Sequence, residues 1–178
     1  MKTMEEHNIM AAQAGKYVLS EKPSGTKLSE ADAAVDACDE AGIRYFVVKQ
    51  NRFNKTVQLL KKAIDENHFG KICMLLLNVL WTRPQDYYNQ APWRGAWDFD
   101  GGCLCNQAAH YVDLMQWMGG AVESVQAFSA TLARHIEAED TIVVNLRYRS
   151  GALESINVTT LTYPKNLEGS ITILGEKG

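Results

Sequence analysis

No Gly-x-Gly-x-x-Gly turn occurs anywhere in the 178 residues, so the chain carries no glycine cradle of the kind that holds a dinucleotide pyrophosphate between a strand and a helix. Long apolar runs are missing too. The stretch near Cys73 to Leu77 is far too short to span a bilayer, and the N-terminus has no apolar signal core. No membrane partner is expected, and the cytoplasm is the expected location. Charge of one sign is lacking: Lys+Arg 18 against Asp+Glu 21 leaves a net charge of -3, which argues against a nucleic-acid partner. Cysteine is sparse. Cys38, Cys73, Cys103 and Cys105 read as reduced thiols in a chain too large to need disulfide staples. Cys103 and Cys105 have no second Cys/His pair at suitable spacing, so no metal site is expected.

What the chain does have is an ordinary globular composition, 46% hydrophobic and 22% charged, with room for one large domain or two small ones. Lys16 to Ser20 is a short apolar run that stops at Glu21-Lys22-Pro23, as the carboxyl end of a buried parallel strand would. A helix stopped by Gly15 precedes it. After it, Ser29 is the expected N-cap of a helix over residues 30–41, with Asp32 as a weak capping-box partner and Gly42 as the stop. Ile43 to Val48 is β-branched and aromatic, a second strand. This β-α-β order implies a parallel pair.

The character changes near residues 49–53. Asn54 can cap an amphipathic helix bearing Val57, Leu60 and Ile64 and ending near Gly70. A long strand follows over residues 71–81, then a polar, aromatic stretch over residues 82–102, too long for an idle loop. Residues 106–118 suit a helix ended by Gly119-Gly120. The remainder is strand material over residues 122–132, 141–149, 152–161 and 167–174. Ile142, Val144, Leu146 and Tyr148 alternate with mixed residues, giving one apolar face. Gly175 to Gly178 looks like a hairpin turn without its second strand, and both ends look cut.

Asn106 and His110 stand four apart, with Asp113 three further, so their side chains should share one helix face. Gly101-Gly102 at the helix entrance permits close approach of a ligand or another backbone. Histidine suits proton transfer near neutral pH, although many histidines merely pack. Lys22 can equally be a solvated loop residue, Trp93-Arg94 a loop anchor, and Arg52 and Arg83 surface arginines.

Taken in order, Glu21-Lys22-Pro23, Asn51-Arg52-Phe53, Trp93-Arg94, Gly101-Gly102 and the helix with His110 and Asp113 resemble the Gfo/Idh/MocA family of nicotinamide-dependent oxidoreductases over nearly the whole length. Within it, residues 49–54, 106–113 and 161–170 look most like the sugar-nucleotide branch, the UDP-N-acetylglucosaminuronate 3-dehydrogenases of surface-polysaccharide synthesis. The resemblance implies an α/β chain: the C-terminal remnant of a Rossmann domain over residues 1–50, then an α+β domain over residues 51–178 with a large, mostly antiparallel sheet that packs in homo-oligomers.

It further implies NAD as cofactor and a sugar nucleotide as substrate, oxidised at a secondary alcohol, C3 of a UDP-N-acetylamino uronic acid. Lys22 and His110 are the implied catalytic pair, with the base unassigned between them. Glu21, Lys22, Pro23, Trp93 and Arg94 are the implied cofactor contacts. Asn106, Arg52 and Arg83 are the expected substrate contacts. Asn106 stands where the family often has an aspartate. An amide orients an imidazole but brings no charge, so His110 should be a weaker base. The alternatives are another sugar or inositol dehydrogenase of the family, or a non-catalytic interaction module.

Overall fold

The computed structural model describes residues 4–178, which divide into two compact units between Lys49 and Gln50. The first unit has helix α1 (Met4–Gln13), strand β1 (Val18–Ser20), helix α2 (Leu28–Glu40) and strand β2 (Tyr45–Val47). β1 and β2 pair in parallel, Leu19 opposite Phe46. Ala12, Val18 and Cys38 form a small core backed by Ala37, Ile43 and Tyr45. The polar seam beside it is satisfied: Asn8 Nδ2 donates to Ser20 Oγ at 3.0 Å and to Tyr45 Oη at 3.2 Å, as buried amides require.

Two expectations for this unit change. β1 is buried on one face only, because Leu19 is 73% exposed and its neighbour Phe46 47%; within this unit the helices pack on the Val18 side. Helix α2 begins one residue before Ser29, at Leu28, and Glu30 rather than Asp32 closes its start. The Glu30 carboxylate accepts from the N–H groups of Thr26 at 2.9 Å and Lys27 at 3.3 Å. Ser29 lies one residue inside the helix, past the N-cap position that Lys27 holds, whereas Glu30 is placed to reach back to the N-cap N–H. Gly42 ends the helix with φ +63°, the left-handed conformation a C-terminal stop demands.

The second unit opens with a 3-10 turn (Gln50–Phe53) and helix α3 (Lys55–Asp65); Asn54 holds the N-cap position, but its side chain makes no capping bond. Strand β3 (Ile72–Leu80) is followed by the short helix α4 (Gln85–Asn89), a π-helical turn (Cys103–Gln107) and helix α5 (Ala109–Gly119). Strands β4 (Val122–Ala130), β5 (Thr141–Tyr148), β6 (Leu153–Thr159) and β7 (Glu168–Gly175) complete it. The sheet order is β4-β5-β6-β3-β7. β3 and β6 run parallel, and the other three pairings are antiparallel.

Alternation decides which side of this sheet is core. Leu75, Leu77 and Val79 of β3, Ile142, Val144 and Tyr148 of β5, and Ile156 and Val158 of β6 are buried with Leu114, Met115 and Met118 of α5. Each fully buried aliphatic side chain contributes about 1.5–3 kcal/mol. Val57, Leu60 and Ile64 of α3 pack against the same cluster. The other face carries Met74, Phe128, Val143, Leu153 and Leu174, all exposed. Among the described residues, no helix is long and apolar enough to cross a membrane.

Candidate functional site

In the first unit, Glu21-Lys22-Pro23 follows the carboxyl end of β1. Ser20 Oγ donates to Glu21 O at 3.2 Å, and Val48 N–H donates to Ser20 O at 2.9 Å, so the strand end is held from both sides. Lys22 is half-buried, Glu21 exposed, and the Lys22–Pro23 peptide is cis.

In the second unit, the expected single helix from Asn106 through Asp113 is interrupted. Ala108 N–H donates to Cys103 O at 3.0 Å, an i→i+5 bond that widens the turn before α5 starts. Such π turns place one extra residue in the helical path and gather at functional sites. Asn106 therefore sits on the wide turn, whereas His110 and Asp113 stand three apart on the regular helix, and each of the three side chains has its own partner. Asn106 Nδ2 donates to Asp100 Oδ1. His110 Nε2 lies 3.0 Å from Gln50 Nε2. Asp113 accepts a fork from Arg52, Nε to Oδ2 and Nη2 to Oδ1, both at 2.7 Å.

Gln50 matters to what His110 can do. With its NH2 toward the ring, the amide donates to an imidazole that accepts at Nε2. Turned over, the same amide offers its oxygen to Nε2–H, so Gln50 can follow the ring through proton uptake. Arg52 is committed to Asp113, which raises its already high pKa further, and lies 5.1 Å from the Trp117 ring. It ties the 3-10 turn bearing Gln50 to the helix bearing His110.

Arg83 donates from Nε to Gln107 Oε1 at 2.9 Å and from Nη1 to Thr82 O at 2.7 Å, between the rings of Trp81 and Tyr87. Gln107 in turn donates to Tyr87 Oη at 3.1 Å. Arg94 lies 4.1 Å from the Tyr87 ring centroid and 5.4 Å from that of Trp93, and its Nη1 donates to Tyr87 O at 2.7 Å. The residue 82–102 stretch is thus an aromatic–arginine stack around α4 rather than a featureless loop. Arginine stacks well because its planar guanidinium is weakly hydrated.

Buried carboxylates hold this framework. Asp140 is fully buried; desolvation opposes its charge, but N–H groups of Ala133, Leu132 and Arg134 hold its carboxyl below the usual range. The loop so formed lets Arg134 Nε donate to Arg83 O at 2.7 Å. Glu139 accepts Leu104 N–H at 3.1 Å through Oε1, and its backbone carbonyl accepts Cys103 N–H at 3.2 Å; burial pushes its carboxyl up. Gly102, at φ +85°, has no side chain because a Cβ there would fall on the Glu139 carboxylate.

Sequence reasoning singled out Asn106, His110, Arg52 and Arg83, and passed over Gln50, Asp100, Gln107 and Glu139. Asp100 immediately precedes the Gly101-Gly102 pair, and that adjacency was the available signal. Glu139 carried none, since it arrives from the β4–β5 connection. Among the described residues, no three His, Cys, Asp or Glu side chains gather as a metal site.

Residues 2–49 match an oxidoreductase family with an NAD-binding Rossmann fold, GFO/IDH/MocA, and residues 57–178 match the GFO/IDH/MocA C-terminal domain. The structure superposes on the WlbA dehydrogenase from Bordetella pertussis, in complex with NADH and UDP-GlcNAcA, with TM-score 0.96 and 62% identity, covering 97% of this chain and 50% of that one. The corresponding WlbA complex from Chromobacterium violaceum gives 0.95 and 58% over the same shares. Among curated relatives, levoglucosan dehydrogenase of Pseudarthrobacter phenanthrenivorans is 31% identical over 124 residues, 69% of this chain and 32% of its own length. The myo-inositol 2-dehydrogenase of Thermotoga maritima is 29% identical over 157 residues, 84% of this chain and 44% of its own length. The chain spans half or less of each of these relatives.

Proposed function

Since the chain belongs to the Gfo/Idh/MocA oxidoreductase family, we propose that it carries the reacting half of an NAD-dependent dehydrogenase acting on a sugar nucleotide. The substrate is a UDP-linked N-acetylamino uronic acid, oxidised at the C3 hydroxyl. One observation carries this choice: identity is 62% to a protein solved with NADH and UDP-GlcNAcA, against 31% to a levoglucosan dehydrogenase.

Bound NAD supplies a hydride acceptor. Glu21, Lys22, Pro23, Trp93 and Arg94 would hold its nicotinamide half, and no glycine turn is present for its pyrophosphate. Lys22 and His110 handle the hydroxyl proton. A lysine serves as base only when burial or a neighbouring cation lowers its pKa, whereas His110 has the Gln50 amide, which can donate to or accept from its ring, 3.0 Å away. Asn106, Arg52 and Arg83 face the substrate in this reading, with Arg52 acting chiefly through Asp113.

The same reading assigns the work to the cytoplasm, in the making of surface polysaccharide, by a homo-oligomer joined through the exposed face of the second-unit sheet. Exposed Met74, Phe128, Val143, Leu153 and Leu174 support that last part.

Calorimetric titration of UDP-N-acetylglucosaminuronate, myo-inositol and levoglucosan into the protein tests the substrate class. Saturable heat is expected with the nucleotide sugar alone. Binding of a free sugar without the nucleotide sugar would overturn the reading.

A further inference from the structure

Between α3, α5 and β7 the second unit opens a cavity of ≈ 330 Å³ that takes no part in the proton chemistry of Lys22 and His110. Its polar edge comes from Asn51 and Tyr111, both half-buried, with Asn54 and Thr56 exposed at the mouth. Leu60 and Ile171 belong to its apolar wall, and no charged side chain lines it. Asn51 and Asn54, Tyr111 and Gly169 come from residues 49–54, 106–113 and 161–170, the three stretches that resemble the sugar-nucleotide branch. Far apart in sequence, these stretches converge on one cavity.

The polar edge is unspent. Asn54 holds the N-cap position of α3, where an asparagine ordinarily turns its side chain to the first N–H groups of the helix, yet it makes no such bond. Among the described residues, the side chains of Asn51 and Tyr111 likewise have no hydrogen-bond partner. The Tyr111 ring is set edge-on against Trp81, centroids 5.9 Å apart. A Cβ at Gly169 would stand 2.6 Å from Tyr111 Oη and 3.3 Å from Trp81 Nε1, so two ring donors meet where β7 has no side chain to displace them. Each end of the cavity also adjoins the reacting site by one peptide bond, since Gln50 precedes Asn51 and His110 precedes Tyr111.

We propose that this cavity is the subsite that reads a neutral –CO–NH– group of the nucleotide sugar, the uracil ring or the acetamido group, with Asn51 and Tyr111 as its hydrogen-bonding residues. The diphosphate and the carboxylate are poor occupants, because a charge taken out of water into an uncharged lining is left uncompensated. An amide side chain both donates and accepts, and so matches a neighbouring C=O and N–H. The apolar wall receives the ring face or the methyl group. The volume is at the lower end for ligand pockets and suits one such group rather than the whole nucleotide sugar.

The inference rests on the dehydrogenase reading for its ligand, and its test separates the two. The side-chain NH2 resonances of Asn51 and Asn54, assigned by their loss in Asn51→Ala and Asn54→Ala, are followed by NMR as uridine, N-acetylglucosamine, ribose and glucose are added to the chain. Saturable shifts are expected with uridine or N-acetylglucosamine and not with ribose or glucose, which lack the –CO–NH– group. Whichever of the first two responds identifies the group that is read. A response to neither leaves the cavity to water and overturns the proposal. Tyr111→Phe, which keeps the ring and removes the hydroxyl, is expected to weaken both the responding ligand and UDP-N-acetylglucosaminuronate by about threefold to tenfold. Unchanged affinity for either would also overturn it. Saturable binding of uridine or N-acetylglucosamine here without any binding of the nucleotide sugar would overturn the function and leave the subsite standing.

Discussion

Arg52 and Asp113 form a two-pronged ion pair, both bonds at 2.7 Å, across 61 positions of sequence. The pair fixes the 3-10 turn that carries Gln50 against the helix that carries His110. Asp113 is 11% exposed and Arg52 38%, so solvent screens part of the interaction and its loss should cost about 1–2 kcal/mol. Arg52→Lys keeps the charge but not the fork. Thermal unfolding should therefore fall for both Arg52→Ala and Arg52→Lys. Full stability in Arg52→Lys would show that the charge alone matters.

Glu154 is 3% exposed and hydrogen-bonded to Tyr148, itself fully buried. Burial raises its carboxyl from 4.5 to about 7, against the smaller opposing effect of the tyrosine bond. The folded state thus holds a proton that the unfolded chain releases. Stability is greatest below about pH 4.5 as far as this group is concerned, and it is lost as pH rises toward 7, at no more than about 1.4 kcal/mol per pH unit. A neutral Glu154 can donate to Tyr148 Oη and free that hydroxyl's proton for Met115 O, 3.4 Å away. Glu154→Gln should remove this slope and exceed the parent in urea midpoint at pH 8. Parallel pH profiles for the two proteins would show that Glu154 has the same pKa in the folded and unfolded chain.

How much of this was legible follows from range. The helix of Val57, Leu60 and Ile64, the alternation in β5 and the Gly42 stop are set by residues within a few positions of one another, and the sequence-based bounds fall within a few residues of those observed. Asn106 and His110 were recognisable from the motif they share. The partner of His110 was not, because Gln50 reaches it across 60 positions, and neither was Glu139, which reaches Leu104 across 35. The π turn escaped as well: the bond that defines it, from Ala108 N–H to Cys103 O, leaves no mark in the pattern of Cys103–Gln107.

Gly102 has φ +85° and ψ -179°, a region that only glycine enters freely. A methyl there meets both backbone strain and the Glu139 carboxylate. Gly102→Ala should lower stability by roughly 2–4 kcal/mol in denaturant titration, strain and overlap together. Adding Glu139→Ala should recover part of the loss, since it removes the overlap and leaves the strain. No recovery would place the whole cost in the backbone.

Phe128 is 73% exposed opposite Val143, 42% exposed, on the uncovered face of the sheet. Met74 and Leu174 form a second such pair on β3 and β7. Each pair is separated from the core by one strand thickness, so substitution changes the outer face without touching the buried cluster. If the face joins copies of the chain, Phe128→Glu with Leu153→Glu should shift sedimentation equilibrium from oligomer to monomer while the circular dichroism spectrum stays the same. Like charges brought together across such a contact oppose association, and the removed apolar area no longer favours it. An oligomer that survives both substitutions would move the contact elsewhere, and a parent chain that sediments as a monomer would remove the need for one.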